Sequence, residues 1–398
     1  MQKENSSKNR CQVCESDAIE VIFETHEVPV HVGLLWPKRE EALKAPIGEI
    51  RLGYCRNCGY VSNLDFNPEL MQYTQEYDNS LHFSPRFQSY ARSQADRLVE
   101  IYNLYDKDII EIGSGKGDFL RTLCELGDNR GIGFDPSYVP DLNEKKQSTK
   151  IRFIKDYYSE QYSYYKVDLI CSRHVLEHIP HPTEFLTTLR RTLGNRTDTA
   201  IFFEVPDFLS TLSELRIWDI IYEHCSYFTG RSLAFLVEKC NFDILDIASE
   251  FDGQFLTIDL QPHQNSRQNK PRTNNTNQDD IDDKVERFIN NYNQKMSIWK
   301  RQLKEIKESG KRAVVWGAGA KGLSFLNMLK VQNEIKFAVD INPRKHGMYI
   351  AGTGQKIIPP EFLLKYKPDV VIVMNPIYKQ EIQRQVEDLK VACEFIYP

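Results

Sequence analysis

The segment from Asp108 to Leu120 most constrains the fold of this chain. An apolar run, Asp108-Ile-Ile-Glu-Ile, is followed by Gly113, Gly115 and Gly117 and then by an apolar helical pattern. Glycines let the backbone approach a ligand closely, and the start of a helix presents unpaired N–H groups. The segment therefore predicts a strand, a tight turn and a helix, which together begin an α/β unit.

Further apolar runs follow at the spacing of βαβ units. They alternate with amphipathic stretches, which predicts a parallel sheet covered by helices. These runs lie at 108–113, 131–136, 167–172 and 200–205, and a further candidate strand precedes Asp156. A second α/β pattern occupies 313–319, 335–341 and 369–375. The predicted fold class is α/β, with a Rossmann-like core and a C-terminal α/β domain of about half a Rossmann fold.

Composition divides the chain further. Residues 1–84 hold two CxxC pairs and are predicted to form a small, turn-rich module with few strands. The segment 262–283 has almost no aliphatic residues and no aromatic ones, which is typical of a flexible linker. Apolar residues then recur at helical spacing from Val285 to Ile306, which predicts one amphipathic helix that ends at Gly310. The predicted regions are 1–84, 85–261, 262–283 and 284–398.

The charge balance and the cysteines restrict the function classes. There are 51 Lys and Arg against 56 Asp and Glu, whereas a nucleic-acid or anionic-membrane binder carries a basic surplus. The polar N-terminus lacks the apolar core of a signal peptide, and there is no run of about 18 apolar residues. An odd number of cysteines, nine, fits a reducing compartment. We therefore expect a soluble cytoplasmic monomer or homodimer that binds neither nucleic acid nor membrane.

Four cysteines form two CxxC pairs, Cys11 with Cys14 and Cys55 with Cys58. A spacing of two residues directs both thiolates of a pair at one ion, and two such pairs complete a tetrahedron. Redox-active pairs usually lie where a strand meets a helix, which neither pair is predicted to do. The pattern predicts a zinc ion that is structural, because four thiolates leave no open position.

The residues after the glycine turn indicate its ligand. No Lys-Ser or Lys-Thr ends the turn, so it is not a P-loop. Asp135 ends the next strand, where a carboxylate can accept hydrogen bonds from ribose hydroxyls. Asp156 follows a further strand, where it can meet an adenine amine. These positions favour S-adenosylmethionine over a dinucleotide or a simple phosphate.

Two motifs together carry a resemblance. Glu111-Ile-Gly-Ser-Gly-Lys-Gly-Asp-Phe, followed by His174-Val-Leu-Glu-His-Ile-Pro-His-Pro, resembles the class I S-adenosylmethionine-dependent methyltransferases. The resemblance implies a cofactor site lined by Glu111, Gly113, Gly115 and Asp135 and flanked by Asp156 and His174. On a helix, His174 and His178 would also share one face at metal-ligand spacing. Because no third ligand is evident, we expect these two histidines to pack behind the cofactor and not to bind a metal.

A broader resemblance covers most of the chain from about Cys11. The four-cysteine module, Glu223-His224-Cys-Ser-Tyr-Phe and Trp316-Gly-Ala-Gly-Ala-Lys-Gly resemble the sugar C-methyltransferases, which methylate nucleotide-linked keto-deoxysugars. The segments 339–353, Asn375-Pro376 and 73–77 also match. The family implies that His224 is the base, with Glu223 beside it.

Other residues of the predicted site follow from the same resemblance. Some members have Tyr-His-Glu-His where this chain has Ile-Tyr222-Glu-His, so the tyrosine is displaced by one residue. Tyr73, Tyr77 and His82 precede the core and are candidates to contact the substrate or to pack beside it. Together with Lys321, they complete the predicted substrate site.

Methyl transfer to carbon explains why such a base is needed. An sp³ carbon has no lone pair, so a proton next to a ketone must be removed and the enolate oxygen stabilised. A neutral imidazole can remove that proton at neutral pH. A neighbouring carboxylate, Glu223, can fix the tautomer of His224, and Lys321 or Tyr222 can stabilise the enolate.

The C-terminal glycines offer a competing interpretation. Gly317, Gly319 and Gly322 follow an apolar strand, and Asp340 ends the next strand, which nearly completes a dinucleotide fingerprint. Taken alone, this fingerprint predicts an NAD-dependent oxidoreductase. However, the segment is short for a full Rossmann domain, and the resembling family has the same turn without using a nicotinamide. There the domain helps to hold the substrate, and Lys321 at a helix start suits a diphosphate.

The predicted function is methyl transfer from S-adenosylmethionine to a carbon atom of a small metabolite, most closely a nucleotide-linked keto-deoxysugar. The alternatives are an O- or N-methyltransferase of another small molecule, an NAD-dependent oxidoreductase, and a catalytically idle binding module.

Overall fold

The computed structural model describes residues 10–71, 81–139, 150–263 and 278–398. Within these residues the strands form three sheets. The strands are β1 (Ile19–Pro29), β2 (Ile47–Cys55), β3 (Val61–Asn63), β4 (Asp108–Ile112), β5 (Arg130–Phe134), β6 (Ile151–Ile154), β7 (Leu169–Arg173), β8 (Ala200–Pro206), β9 (Ser226–Tyr227), β10 (Phe242–Glu250), β11 (Phe255–Pro262), β12 (Ala313–Trp316), β13 (Ile335–Val339), β14 (Lys356–Ile358), β15 (Val370–Val373) and β16 (Glu394–Ile396).

The α-helices differ widely in length, from single turns to one long helix. They are α1 (Arg39–Ala42), α2 (Pro85–Ile101), α3 (Asp118–Gly127), α4 (Pro182–Leu193), α5 (Phe208–Glu214), α6 (Gly230–Lys239), α7 (Gln278–Glu308), α8 (Ala320–Met328), α9 (Leu363–Tyr366) and α10 (Lys379–Asp388). No helix in the described ranges is both long enough and apolar enough to span a bilayer.

The central sheet has seven strands in the order β10-β11-β8-β7-β4-β5-β6. The strands from β4 to β8 are parallel, and β11 and β10 extend the sheet in antiparallel fashion. Alternate residues of β4 face opposite layers: Ile109 packs with α2 and α3, and Ile110 with α4 and α6. The predicted Rossmann-like core is confirmed, with its strands where the apolar runs indicated.

The N-terminal region contains more strand than the sequence predicted. The eleven residues of β1 pair with β2, and β2 pairs with β3. The expectation of few strands was wrong because β1 is interrupted by bulges and carries many exposed polar side chains, which hide its apolar alternation. The fourth strand of this sheet is β9, which comes from the segment that contains His224.

The C-terminal region has five parallel strands in the order β14-β13-β12-β15-β16. Sequence patterns predicted β12, β13 and β15 but missed β14 and β16, which have three residues each. The long amphipathic helix is confirmed as α7, and Gly310 after its end has a left-handed φ of +69°. Most of the predicted linker lies outside the described residues, and its last residues, from 278, belong to α7.

One apolar cluster joins the N-terminal, central and C-terminal regions of the chain. It contains side chains from the N-terminal sheet, from the segment that leads into β9, from α7 and from the C-terminal sheet. In it, the rings of Trp218 and Phe325 are 5.0 Å apart, and those of Tyr222 and Phe66, which lies in the N-terminal region, are 5.4 Å apart. The segment before β9 is therefore held from two sides, which fixes the position of His224.

Candidate functional site

A cleft of about 1630 Å³ lies between the central and the C-terminal sheets. Its walls are built by residues that follow the carboxyl ends of strands in both sheets, where α/β folds usually bind ligands. Single small-molecule pockets usually measure about 300–1,000 Å³. The cleft is therefore large enough for two small molecules at once.

The glycine turn after β4 forms one end of the cleft. Gly113, Gly115 and Gly117 have φ values of +73°, +53° and +83°, which favour glycine. A Cβ atom would lie 2.1 Å from Val175 at Gly113 and 2.2 Å from Phe153 at Gly117. At Gly115 no atom lies within 4 Å of that position. The backbone at Gly115 is therefore open to a ligand.

Asp135 lies beside this turn, as its predicted role requires. Its Oδ2 accepts a hydrogen bond of 2.8 Å from the Gly115 N–H, and its Oδ1 accepts from the N–H and hydroxyl of Ser137. Each carboxylate oxygen can accept two hydrogen bonds, so Oδ2 retains capacity for a ligand hydroxyl. The buried Ser114 Oγ has no partner among the described residues. This donor and acceptor set fits the adenosyl part of S-adenosylmethionine.

The carboxylates of Glu111 and Asp156 accept hydrogen bonds from nearby residues of the protein. Glu111 is buried below the turn and accepts a hydrogen bond from the Leu120 N–H, and burial raises its pKa to about 8. Asp156 lines the cleft but also accepts from the hydroxyl of Tyr162 at 2.5 Å, which is the main reason its pKa lies below the usual value. Glu111 thus supports the turn, and Asp156 remains accessible at the cleft wall.

His174 occupies a strained position after β7. Its φ is +55°, and its Nε2 lies 2.9 Å from Oε1 of Glu204. Burial disfavours its charged form, but Glu177 and Glu204 outweigh this effect and raise its pKa to about 9. Because only a short 3-10 helix follows, at Leu176–His178, His174 and His178 do not share the face of an α-helix.

His178 instead meets His224, and both line the cleft. Their ring centroids are 5.0 Å apart in an edge-to-face arrangement. His178 Nδ1 lies 3.0 Å from the carbonyl oxygen of Glu223 and must donate to it, because a carbonyl oxygen only accepts. Burial, and next the charge of His178, lowers the pKa of His224 to about 3. The imidazole of His224 is therefore neutral at neutral pH.

The side chain of Glu223 does not line the cleft. It is fully buried, and its Oε1 accepts a hydrogen bond of 2.7 Å from the Val32 N–H in the N-terminal region. The Nδ1 atom of His31 lies 3.9 Å from the same oxygen. The expected role of Glu223 beside the base therefore needs correction, because its carboxylate fixes the segment to the N-terminal region instead.

Tyr222 is also absent from the cleft lining. Its hydroxyl accepts a hydrogen bond of 2.8 Å from the Asn67 N–H. Its ring packs on Gly48, where a Cβ atom would lie 2.2 Å from a ring carbon. Tyr222 thus anchors the segment and lies too deep to stabilise an enolate in the cleft.

The other predicted substrate residues differ in placement. Tyr73 and Tyr77 lie outside the described residues. His82 lines the cleft with its ring edge-on to Phe87 at 5.2 Å, and burial lowers its pKa. Lys321 also lines the cleft, where it forms an ion pair with Asp219.

The four predicted zinc ligands lie together away from the cleft. The Sγ atoms of Cys11 and Cys58 are 3.6 Å apart, and those of Cys14 and Cys55 are 3.5 Å apart. All four sulfurs lie within 4.8 Å of one another. A tetrahedral site with Zn–S bonds of about 2.3 Å has sulfur–sulfur edges of about 3.8 Å. The cluster therefore fits one tetrahedral ion.

The C-terminal glycine turn forms the opposite end of the cleft. Asp340, the acid of the apparent dinucleotide fingerprint, accepts hydrogen bonds from the N–H groups of Ala318 and Asn342. The buried Lys345 lies 3.4 Å from its Oδ2. The carboxylate is thus held by its own turn and paired with a buried lysine. Lys321, Arg344 and Lys345 give this end a basic lining.

Sequence patterns missed Glu177, Arg344 and Lys345. Glu177 stands inside the motif that carried the resemblance, yet nothing local indicates that its carboxylate meets His224, 47 positions later along the chain (224 − 177). Arg344 and Lys345 lie in the matching segment 339–353, where their basic charge was the available signal.

Two protein-family models match the chain. The methyltransferase domain matches residues 86–247, and the C-methyltransferase C-terminal domain matches residues 256–398. A curated relative, the C-methyltransferase NovU of Streptomyces niveus, is 24% identical over 322 residues, which cover 77% of this chain and 76% of the relative.

Solved methyltransferase structures match part of the chain. The N,N-8-amino-8-demethyl-D-riboflavin dimethyltransferase RosA of Streptomyces davawensis is 16% identical with a TM-score of 0.37, covering 44% of this chain and 55% of that chain. The 1,6-didemethyltoxoflavin-N1-methyltransferase of Burkholderia thailandensis is 15% identical with a TM-score of 0.35, covering 45% and 82% respectively.

Proposed function

Because the chain belongs to the S-adenosylmethionine-dependent methyltransferases and carries a C-methyltransferase C-terminal domain, we propose that it methylates a carbon atom of a nucleotide-linked keto-sugar. The observation that carries the proposal is the cleft itself. One end is an open glycine turn with a carboxylate beside it, and the other end is a glycine turn lined by three basic side chains. An acceptor substrate with an anionic end matches this difference, because its anionic end can lie at the turn with the basic side chains.

The first end holds the cofactor. Asp135 accepts hydrogen bonds from ribose hydroxyls, and the open backbone at Gly115 allows the ligand to approach closely. Bound S-adenosylmethionine supplies a sulfonium methyl group that an enolate carbon can take, leaving S-adenosylhomocysteine. Asp156 and His174 also line the cleft, so they limit the space available to the cofactor.

The second end binds the diphosphate of the acceptor. Lys321, Arg344 and Lys345 line this end, and because Asp219 and Asp340 pair with the two lysines, the three cations exceed the two carboxylates by one charge. Helix α8 begins in the same wall, and its N-cap, Gly319, supplies no side-chain acceptor for the first N–H groups. Such a helix start favours phosphate oxygens through its free N–H groups and its dipole.

His224 is the base between the two ends. It takes the proton from the carbon next to the ketone, so that the C–H bond breaks, an N–H bond forms and the electron pair moves into the enolate. Its neutral ring is in the form that accepts a proton. His82 lies in the same cleft and can contact the acceptor.

The four cysteines hold a structural zinc ion in this proposal. The spacing of their sulfurs supports a tetrahedral ion, and none of the four lines the cleft. The ion therefore stabilises the N-terminal region and does not touch the substrate.

The proposal is tested with purified protein, S-adenosylmethionine and a panel of nucleoside diphosphate keto-deoxysugars. We expect release of S-adenosylhomocysteine, and we expect NMR of the product to show a new carbon–carbon bond. The same sugars without the diphosphate serve as a control and should react poorly. Transfer to oxygen or nitrogen would contradict the proposal, and no release with any acceptor would favour an idle binding module.

A further inference from the structure

We propose that Glu177 is the positioning carboxylate that supports His224 during proton abstraction, in place of Glu223. This inference rests on the proposed function, because it assumes that His224 acts as a base. It assigns to Glu177 a task that the sequence suggested for the adjacent glutamate. The reason is geometric, since the carboxylate of Glu223 is bound by the N-terminal region.

Glu177 is buried in the wall of the cleft. Its side chain is 2% exposed, and its Oε2 has no hydrogen-bond partner among the described residues. Its Oε1 lies 3.7 Å from Nδ1 of His174. One of its oxygens and one ring nitrogen of each of His178 and His224 lie within 4.8 Å of one another. A buried carboxylate therefore lies beside the ring of the base, with one oxygen within 4.8 Å of a ring nitrogen.

Hydrogen bonds fix the distance between the two segments. His178 Nδ1 donates to the Glu223 carbonyl at 3.0 Å, and the thiol of Cys225 donates to the Glu177 carbonyl at 3.5 Å. The hydroxyl of Ser226 also donates, to the carbonyl of Ile179, at 3.1 Å. The segments around Glu177 and His224 are thus joined at three successive points, which holds the carboxylate in register with the base.

The charges around His224 explain why a carboxylate is needed. Burial, and the charges of His178, His174 and Lys321, all oppose a proton on the ring, whereas Glu177 favours it. When His224 removes a proton it becomes an imidazolium, which an adjacent carboxylate stabilises.

Glu177 is in the charged form that this role requires. Burial opposes its ionisation, but His174, whose Nδ1 lies 3.7 Å away, and the nearby His178 outweigh it, so its pKa lies below the usual value. The titratable and charged groups around the Glu177–His224 pair come from three parts of the chain. The segment of Glu177 carries His174 and His178, the segment before β9 carries His224 itself, and α8 carries the more distant Lys321. Glu177 therefore remains an anion throughout the neutral range.

The test replaces Glu177 by Gln, which keeps the shape and removes the charge. In deuterated water without S-adenosylmethionine, wild-type protein should exchange the α-proton of the acceptor. Glu177→Gln should slow this exchange by about 10²-fold or more, as expected for loss of general-base support. Cofactor affinity and melting temperature should remain unchanged. Glu184→Gln removes an exposed carboxylate on α4, outside the cleft, and should leave exchange unaffected.

A double-mutant cycle separates support of the base from a general structural effect. If Glu177 acts through His224, Glu177→Gln should cost nothing further in a His224→Ala background. An equal cost in both backgrounds would overturn the inference. Glu177→Asp, which restores the charge, should recover part of the rate.

The remaining outcomes distinguish this inference from the proposed function. Wild-type exchange rates in Glu177→Gln would overturn the role of Glu177 alone. No exchange by the wild-type protein with any acceptor would overturn the proposed function as well. A second metal ion bound by wild-type protein and lost in Glu177→Gln would make the cluster a metal site and would also overturn the inference.

Discussion

The hydroxyl groups of Tyr60 and Ser226 form a buried hydrogen bond of 2.6 Å. Tyr60 follows the second CxxC pair by two residues, and Ser226 follows His224 by two residues. In addition, β3 pairs with β9 through Val61 and Ser62. The proposed zinc site and the proposed base are therefore connected by a short, buried path, although the cysteines do not line the cleft.

Loss of a zinc ligand should therefore lower metal content and stability together. Cys55→Ser should lower the metal content, because structural zinc binding contributes directly to the free energy of folding. In a chain of 398 residues, a loss of about 2 kcal/mol would lower the melting temperature by roughly 2–3 °C. Metal analysis and thermal unfolding measure both effects, with Cys393→Ser in the C-terminal region as control. Full zinc content with an unchanged melting temperature would refute the zinc assignment.

Asp135 should set the affinity for S-adenosylmethionine. Removing a hydrogen-bonding carboxylate from such a contact typically costs about 1–3 kcal/mol, so Asp135→Ala should raise the dissociation constant roughly tenfold or more. Calorimetry measures the change, and Asp198→Ala removes an exposed carboxylate outside the cleft as a matched control. Wild-type affinity in Asp135→Ala would mean that the glycine turn binds another ligand.

His224 should control removal of the α-proton. His224→Ala should slow exchange of that proton with deuterated water by about 10²–10⁴-fold and leave cofactor affinity nearly intact. If exchange continues at the wild-type rate, the base is another residue. His82 is then the next candidate because it lines the cleft, whereas Tyr222 and Glu223 do not.

The low pKa of His224 should give exchange an unusual pH dependence. For a histidine with the ordinary pKa near 6.5, the neutral fraction falls about thirtyfold between pH 8 and pH 5. With a pKa of about 3, His224 stays neutral over this range, while His174, with a pKa of about 9, stays charged. The exchange rate should therefore be nearly constant from pH 8 to pH 5. A thirtyfold decline would indicate an ordinary, solvated base.

Arg344 should contribute to binding of the acceptor diphosphate. A hydrogen bond to a charged group is worth about 1.5–3 kcal/mol, so Arg344→Gln should raise the KM for the nucleotide-linked acceptor roughly tenfold or more. Lys336→Gln removes an exposed charge from the same sheet outside the cleft and should have little effect. Equal KM values for the two variants would show that the diphosphate binds elsewhere.

Features set by neighbouring residues could be predicted from the sequence. The strands of the central sheet follow from apolar runs, and the positions of Gly115 and Asp135 follow from turn chemistry after successive parallel strands. The gathering of the four cysteines follows in the same way from CxxC spacing. In each case the pattern lies in short local segments, namely single strands, the turns that follow them and the two CxxC pairs.

The orientations of Glu223 and Glu177 could not be predicted in this way. Glu223 is adjacent to His224 in sequence, yet the partner that fixes its carboxylate is the Val32 N–H, far away along the chain. The approach of Glu177 to His224 likewise depends on how two distant segments pack. The strand β9 has only two residues, so it carries no recognisable period and exists because β3 is available as a partner.

The position of β9 in the N-terminal sheet bears on the order in which the chain folds during synthesis. Tyr60 and Ser226 are 166 residues apart in sequence, so the sheet lacks its last strand until the ribosome has passed that point. Contacts of such high sequence separation form slowly, because closing the intervening loop costs entropy before any contact compensates for it. The edge of β3 therefore remains unpaired while the central sheet is being made, and nascent chains are most exposed to wrong pairing at that edge.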